Sequence, residues 1–206
     1  MSAFSTTPSM FTGIIKQLGT ITSMDRHGDD IRLCVEIHPV PEVDIGASVA
    51  NSGVCLTVVE TTNSRLSFDV MTQTVKLTSL ANKNVGDQLN IETSLRVGDE
   101  MGGHFVYGHV DGVAHVTQIQ QEGDSVVMTI QPPEHLMRYL ASQGSVAIDG
   151  VSLTVVDQRE HDFDVSLIDH TMKVTTLGRL TVGAAVNIEV DMMMKYLNRL
   201  TNAKPV

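Results

Sequence analysis

The sequence predicts an all-β protein made of two similar antiparallel barrels followed by a C-terminal α-helix. Three observations lead to this prediction. The 206-residue chain repeats itself at a spacing of about 95 residues, and each repeat consists of short β-branched segments separated by turn residues. Beyond the second repeat, apolar residues recur at helical spacing instead.

The repeat is clearest where GVCLTVVE at residues 53–60 returns as GVSLTVVD at residues 150–157. Aligning residues 47–59 with residues 144–156 matches nine of thirteen positions. The same spacing of 97 relates VGDQLNIE, which ends at Glu92, to VGAAVNIE, which ends at Glu189. We therefore expect a first barrel over residues 10–105 and a second over residues 106–191.

The strands are predicted from alternation, as in Ile31, Leu33, Val35 and Ile37, where every second residue is apolar. Helical spacing is rare. It predicts a brief helix within residues 133–142 and a C-terminal helix with its tail over residues 192–206.

The C-terminal helix carries an apolar stripe of Met193, Leu197 and Leu200, and Asp191 is its expected N-cap. Two interpretations of the stripe stay open: it packs on its own chain, or it meets copies of itself in a symmetric oligomer.

Composition excludes several function classes. A formal net charge of −10 opposes nucleic-acid binding, and no apolar run is long enough to span a membrane. The N-terminus lacks the features of a secretory signal, and two cysteines, Cys34 and Cys55, indicate a reducing cytoplasm. Sequence motifs of nucleotide-binding, serine-hydrolase and zinc-protease sites are absent.

Polar residues at equivalent strand positions are the first candidates for a site. Cys55 and Thr57 share one face of a strand, as do Ser152 and Thr154 in the second repeat, while Leu56 and Leu153 face the other way. Ser48 and Ser145 belong to the same polar sets. Such pairs offer hydrogen bonds to a heterocycle, although ordinary threonine-bearing strands have the same spacing.

The second candidate is GDEMGGHFVYGHVDG at residues 98–112, where glycines allow close approach to a ligand. His109 is a candidate acid, base or hydrogen-bond donor, with a purely structural histidine as the alternative. His104 and His109 are five residues apart and would face opposite sides of a strand, so no metal site is predicted.

Four motifs together resemble the riboflavin synthase α chain of the lumazine-binding family: MFTGII at 10–15, SGVCLTV at 52–58, GGHFVYGHVDG at 102–112 and IDGVSLTV at 148–155. The resemblance extends over residues 10–200. It implies two six-stranded Greek-key barrels and a C-terminal helix that joins three chains in a homotrimer.

The reaction implied by this resemblance is the dismutation of two molecules of 6,7-dimethyl-8-ribityllumazine. One molecule gives a four-carbon unit to the other, and the products are riboflavin and 5-amino-6-ribitylamino-uracil. No metal, flavin or nucleotide cofactor is implied. Each barrel is expected to hold one lumazine, and the two rings meet between the first barrel of one chain and the second barrel of a neighbour.

The resemblance also implies the residues that contact substrate, with His109, Cys55 and Ser152 as the catalytic candidates. The first lumazine is expected to contact Gly13, Ile14, Ile15, Ser48, Cys55, Leu56, Thr57, Asp69, Val70, Met71, Thr72, Gln73, Thr74, Gly108, His109 and Val110. The second is expected to contact Gln143, Ser152, Leu153, Thr154, Ser166, Leu167, Ile168, Asp169, His170 and Thr171.

Three positions depart from the family pattern. Ser52 stands where Asn is common, Tyr107 where a small polar residue is common, and Gln143 where Lys is common. Gln143 carries no charge, so weaker electrostatic help to the ligand is expected. A non-catalytic antenna protein that binds lumazine or flavin is the alternative function, and an association with lumazine synthase stays open.

Overall fold

The computed structural model describes residues 9–27 and 30–201, and it confirms the predicted fold: two closed six-stranded antiparallel barrels and a C-terminal helix. The first barrel contains β1 Gln17–His27, β2 Asp30–Ile37, β3 Ser48–Asn51, β4 Val54–Thr61, β5 Arg65–Val70 and β6 Gln88–Thr93. The second contains β7 Gly112–Glu122, β8 Ser125–Gln131, β9 Ser145–Ile148, β10 Val151–Gln158, β11 Phe163–Leu167 and β12 Ala185–Val190.

Both barrels have the same Greek-key connection. Around the first barrel the order is β1-β2-β5-β4-β3-β6, and the equivalent strands of the second barrel follow one another in the same way. The long hairpin of β1 and β2 is interrupted by a register shift between Ile21 and Ser23. Closure leaves each barrel without a free sheet edge.

Each barrel has its own apolar core, supplied by alternate residues of its strands. The predicted alternation of Ile31, Leu33, Val35 and Ile37 is confirmed, since all four are buried. The inward-facing residues of β4 and β10 include Leu56 and Leu153, so the intervening polar residues face outward, as predicted.

Short helices lie between the last strands of each barrel. These are α1 Thr72–Leu77, a 3₁₀ helix Ser79–Asn82, α2 Asp169–Val174 and a 3₁₀ helix Thr176–Arg179. None was predicted, because six residues are too few to display helical periodicity. The helix predicted within residues 133–142 is a 3₁₀ helix, Glu134–Tyr139.

The segments that precede the two barrels are exchanged between them. Ile15 belongs to the core of the second barrel, whereas Val110 packs against the core of the first. Between them, Phe11 and Val106 form an antiparallel bridge with backbone hydrogen bonds of 2.7 and 3.1 Å. The exchange is symmetric, because residues 11–15 and 106–110 are equivalent in the repeat.

The C-terminal helix α3, Met192–Thr201, begins as predicted, since the Met193 amide donates to Asp191 Oδ1 at 2.9 Å. It contacts its own chain through an ion pair of 2.6 Å between Lys195 Nζ and Asp111 Oδ1. The apolar stripe stays exposed: Leu197 is 51% and Leu200 is 73% accessible. Residues 202–206 of the predicted tail lie outside the described residues.

No helix within the described part of the chain has the length and apolar character needed to cross a membrane.

Candidate active site

The first half-site lies on the outer face of β3 and β4. Ser48 pairs with Thr57 and Ala50 pairs with Cys55 across these strands. Burial raises the pKa of the Cys55 thiol, an effect opposed by its hydrogen bond with Ser48. Because the pKa rises, Cys55 is a thiol at neutral pH, which argues against a role as a nucleophile.

Gly108 closes this half-site from the second repeat. The Cys55 amide donates to the Gly108 carbonyl at 3.0 Å. Gly108 has φ +72°, and a β-carbon added there would lie 2.5 Å from Cys55 Cβ. Only glycine therefore permits this approach.

His109 follows Gly108 directly and is exposed beside this half-site. Its ring stacks on Tyr107, with centroids 6.1 Å apart. Tyr107, a departure from the family pattern, thus gives the imidazole an aromatic support that a small polar residue would not provide.

The second half-site on β10 is built in the same way. Ser152 and Thr154 face outward, and the Ser152 amide donates to the Gly13 carbonyl at 2.8 Å. Gly13 has φ +75°, and a β-carbon there would lie 2.6 Å from Ser152 Cβ. Gly13 and Gly108 thus play equivalent parts in opposite barrels.

His104 distinguishes the second half-site from the first. Its Nδ1 forms a hydrogen bond of 2.7 Å with Ser152 Oγ, and burial lowers its pKa, which favours the neutral imidazole. This pairing was not predicted, since His104 had been considered only as a metal ligand. The repeat gave no signal for it: Ser9, which a spacing of 95 aligns with His104, donates instead to Ser48 Oγ at 2.6 Å, and the equivalent of Ser48 is Ser145 rather than Ser152.

Two buried glutamates hold the glycine segments in place. Glu92 on β6 accepts the Thr12 amide at 2.7 Å and the Gly13 amide at 3.0 Å. Glu189 on β12 accepts the Tyr107 amide at 2.7 Å and the Gly108 amide at 2.9 Å. These residues were noted in the repeat but were not predicted to act at the site.

Burial raises the pKa of both carboxyl groups, and that of Glu189 rises to about 7. The backbone amides that donate to each carboxylate have the opposite effect, because they stabilise its charged form. Burial thus favours the protonated carboxyl, whereas the accepted amides favour the carboxylate that makes these hydrogen bonds.

The remaining predicted segments lie where β5 leads into α1 and where β11 leads into α2. The register of Val58 with Phe68 and of Val155 with Val165 brings these strand ends next to β4 and β10. Val70 and Leu167 are core residues. The exposed or partly exposed members are Asp69, Met71, Thr72, Gln73, Thr74, Ser166, Ile168, Asp169, His170 and Thr171.

Two exposed acids in these segments have cationic partners. Asp69 forms a two-point ion pair with Arg32 at 2.5 and 3.1 Å, and Asp169 pairs with Lys173 at 2.6 Å. These ion pairs orient both of the predicted contact residues Asp69 and Asp169.

The assignment of Gly13, Ile14 and Ile15 to the first half-site needs correction. The Gly13 carbonyl accepts the Ser152 amide, and Ile15 belongs to the core of the second barrel. Ile14 lies close to Gly102, since its side chain would be 3.3 Å from a β-carbon added there. The segment therefore lies beside the second half-site. The repeat alone did not reveal the exchange, because equivalence in sequence does not say which barrel a connecting segment covers.

Gln143 lies in the turn before β9, where its amide donates to the Val155 carbonyl at 2.8 Å. It has φ +69°, and Gly46 holds the equivalent position with φ +93°. The side chain of Gln143 is exposed. It lies at the open end of the β9–β10 hairpin, next to the pair of Ser145 and Thr154.

A cavity of about 290 Å³, lined by residues that include Thr12, Ile14, Glu92 and Gly102, adjoins the second half-site. A cavity of about 430 Å³ lies between the barrels, lined by residues that include Ser79, Lys83 and Arg179, and neither Cys55 nor Ser152 lines it. Among residues 9–27 and 30–201, no group of three His, Cys, Asp or Glu side chains is arranged to hold a metal ion.

Comparison with known proteins agrees with this architecture. The family described as Lumazine binding domain matches residues 12–94 and 107–191, which are the two repeats. Riboflavin synthase of Brucella abortus (strain 2308) is 43% identical over 197 residues, covering 93% of this chain and 98% of the relative. Riboflavin synthase of Bacillus subtilis (strain 168) is 41% identical, covering 92% and 89%.

Among solved structures, LumP complexed with riboflavin superposes with a TM-score of 0.80 at 26% identity, covering 88% of this chain and 99% of LumP. LumP complexed with 6,7-dimethyl-8-(1'-D-ribityl) lumazine gives a TM-score of 0.77. With two matched repeats and curated relatives above 40% identity over almost the whole chain, this chain belongs to the riboflavin synthase family and carries two lumazine-binding domains.

Proposed function

We propose that the protein is an enzyme that converts two molecules of 6,7-dimethyl-8-ribityllumazine into riboflavin and 5-amino-6-ribitylamino-uracil. One observation carries the proposal: the two barrels present equivalent outward-facing polar surfaces, centred on Cys55 and Ser152, in a chain of the riboflavin synthase family. A reaction that consumes two identical heterocycles requires two such half-sites.

The chemistry needs little from the protein beyond binding and orientation. The two products together contain all the atoms of two lumazines, so the transfer of four carbons requires no oxidant, reductant or added water. The 7-methyl group of lumazine is acidic because its anion delocalises into the ring. The protein therefore has to stack two rings, hold them in reacting geometry and stabilise developing charge.

The two half-sites offer different groups to the same ligand. Cys55 brings a protonated thiol beside Ser48, whereas Ser152 brings a hydroxyl bonded to a neutral His104. This difference supports the hypothesis that Cys55 and Ser152 break the pseudo-symmetry and help to assign donor and acceptor. The hydrogen bond with His104 fixes the position of the Ser152 hydroxyl.

His109 is proposed to transfer a proton or to anchor the lumazine of the first half-site. Its exposure, its stacking on Tyr107 and its place directly after Gly108 support this role. A His109→Ala variant should lose turnover but keep its assembly state. Dissociation or unfolding of that variant would indicate a structural role instead.

A homotrimer is proposed as the working form. The apolar stripe of α3 is uncovered in the single chain, and the polar residues of each half-site face outward, toward where a neighbouring barrel would pack. Contact between the first barrel of one chain and the second barrel of another would bring two lumazines together. Two unpaired cysteines fit a cytoplasmic location.

The test is to add purified protein to the lumazine and follow absorbance, with chromatographic identification of both products. Riboflavin and 5-amino-6-ribitylamino-uracil in equal amounts are expected. A bound but unconverted ligand would establish the antenna function instead; LumP, 26% identical to this chain, has been solved in complex with the same lumazine. No binding at all would exclude both.

A further inference from the structure

The two buried glutamates reach across the molecule. Glu92 belongs to the last strand of the first barrel, and the segment it holds ends with Gly13 bonded to Ser152 of the second barrel. Glu189 belongs to the last strand of the second barrel, and the segment it holds ends with Gly108 bonded to Cys55 of the first. The two sets of contacts are equivalent in the repeat. One connects Glu92 of the first barrel with Ser152 of the second, and the other connects Glu189 of the second barrel with Cys55 of the first.

We propose that Glu92 and Glu189 are crossed positioning residues: each carboxylate, anchored in one barrel, fixes the wall of the half-site on the other barrel. The proposal rests on the proposed function for the identity of the ligand. Each carboxylate accepts backbone N–H groups of a glycine segment, so each is proposed to act through the segment that it orders.

The geometry explains why a carboxylate is used. Glu189 accepts two consecutive backbone N–H groups, one on each oxygen, and Glu92 accepts the equivalent pair and also the Thr12 hydroxyl at 2.8 Å. Both glutamates are almost fully buried, with 4% of Glu92 and 3% of Glu189 exposed. Water therefore cannot take the place of a lost acceptor without a large cost in free energy. An amide in their place would turn an N–H group toward one of the donors.

The proposal predicts that loss of each glutamate disturbs the half-site on the opposite barrel. Loss of Glu189 releases Gly108 and the neighbouring His109 from Cys55, which disturbs the half-site on the first barrel. Loss of Glu92 releases Gly13 and Ile14 from Ser152, which disturbs the half-site on the second barrel. A glutamate that merely stabilised its own barrel would disturb the half-site on that barrel instead.

Alkylation of Cys55 provides a local measurement. Wild-type protein, Glu92→Gln and Glu189→Gln are treated with iodoacetamide over a range of lumazine concentrations, and modification of Cys55 is mapped by mass spectrometry. Cys34, which lies on β2 against Ser67, is the reference within each sample. Glu122→Gln, at an exposed glutamate on β7, is the control substitution.

We expect Glu189→Gln to raise the lumazine concentration for half-protection of Cys55 by about tenfold, and Glu92→Gln to change it by less than about threefold. Glu92→Gln should nevertheless lose turnover and one of the two ligand-binding classes seen in a fluorescence titration. A larger effect on Cys55 from Glu92→Gln, or equal effects from both variants, would overturn the crossed assignment.

Circular dichroism checks that each variant is folded. If Glu92→Gln fails to fold, Thr12→Val replaces it, because it removes one hydrogen bond to Glu92 and leaves both backbone donors in place. Turnover by the wild-type protein tests the proposed function separately. If lumazine protects Cys55 of the wild-type protein but no riboflavin is made, the synthase function is refuted. The effect of each glutamate on the opposite half-site can still be measured in that case.

Discussion

Asn90 and Asn187 hold the two barrels together by reciprocal hydrogen bonds. Asn90 Nδ2 donates to the Asp149 carbonyl at 2.9 Å, and Asn187 Nδ2 donates to the Ser52 carbonyl at 2.8 Å. Ser52 and Asp149 are the turn residues of the equivalent hairpins β3–β4 and β9–β10, and both have positive φ. Each asparagine thus ties the last strand of its own barrel to the central hairpin of the other.

Replacement of Asn187 by alanine should destabilise the protein by about 2–5 kcal/mol, because two buried backbone groups lose their partner. These are the Ser52 carbonyl and the Ser79 amide, which donates to Asn187 Oδ1 at 2.6 Å. Urea unfolding measures the change. The exposed Asn82→Ala is the control and should stay within about 0.5 kcal/mol of wild type. Equal values for the two variants would show that the asparagine does not lock the barrels.

The stability of the protein should depend on Asp149 below pH 7. Burial raises the pKa of Asp149 to about 6 from its ordinary 3.8, with a partial opposing effect from the Asn187 amide. Because the folded state binds the proton more tightly than the unfolded state, the carboxylate destabilises the fold above about pH 6. That penalty disappears as the pH falls toward 4.

Asp149→Asn should therefore be more stable than wild type at pH 7 to 8, by up to about 3 kcal/mol, and the advantage should vanish near pH 4. Asparagine also tolerates the positive φ and can accept the Asn187 amide. Urea unfolding of both proteins at several pH values gives the difference curve. Parallel curves across the range would contradict the assignment.

Gly108→Ala should weaken ligand binding at the first half-site by about tenfold or more. The added methyl would collide with Cys55 Cβ, in addition to about 1–2 kcal/mol for placing alanine at positive φ. Gly123→Ala is a matched control, since Gly123 has φ +58° and nothing within 4 Å of an added β-carbon. Riboflavin fluorescence titration compares their affinities. If both variants bind as wild type, the close approach has no functional role.

Replacement of Cys55 by serine tests the assignment of donor and acceptor. Cys55→Ser should lower kcat by about tenfold, because it makes the two half-sites more alike and replaces a thiol tuned by burial with a hydroxyl. Cys34→Ser, away from the half-sites on β2, should leave kcat unchanged. Unchanged turnover and substrate binding in Cys55→Ser would end this hypothesis.

Leu197→Asp should dissociate the proposed trimer. A charge in the centre of the apolar stripe of α3 is expected to shift the midpoint of assembly by about a hundredfold in protein concentration. Light scattering after size-exclusion chromatography measures the mass. Val97→Asp places the same charge at a fully exposed loop residue and should stay assembled. A wild-type protein that is a monomer throughout would refute the trimer itself.

Much of the candidate site could be predicted from the repeat. The outward faces of Cys55 with Thr57 and of Ser152 with Thr154 follow from strand periodicity and were confirmed. His104 was missed because its partner, Ser152, is 48 residues away in sequence, and no spacing rule connects them. The short helices α1 and α2 were missed because six residues carry too little pattern.

The sequence by itself determined the number of barrels, their strands and the polar residues that each presents, because these follow from local periodicity and internal repetition. The tertiary structure alone decided that Gly13 lies against Ser152, whereas the placement of Gly108 beside Cys55 had been expected only from the family resemblance. Because the two repeats are equivalent in sequence, periodicity does not say whether a leading segment covers its own barrel or the other one. The buried carboxylates and asparagines that fix the exchanged arrangement act between residues far apart in the chain, where sequence patterns carry no information.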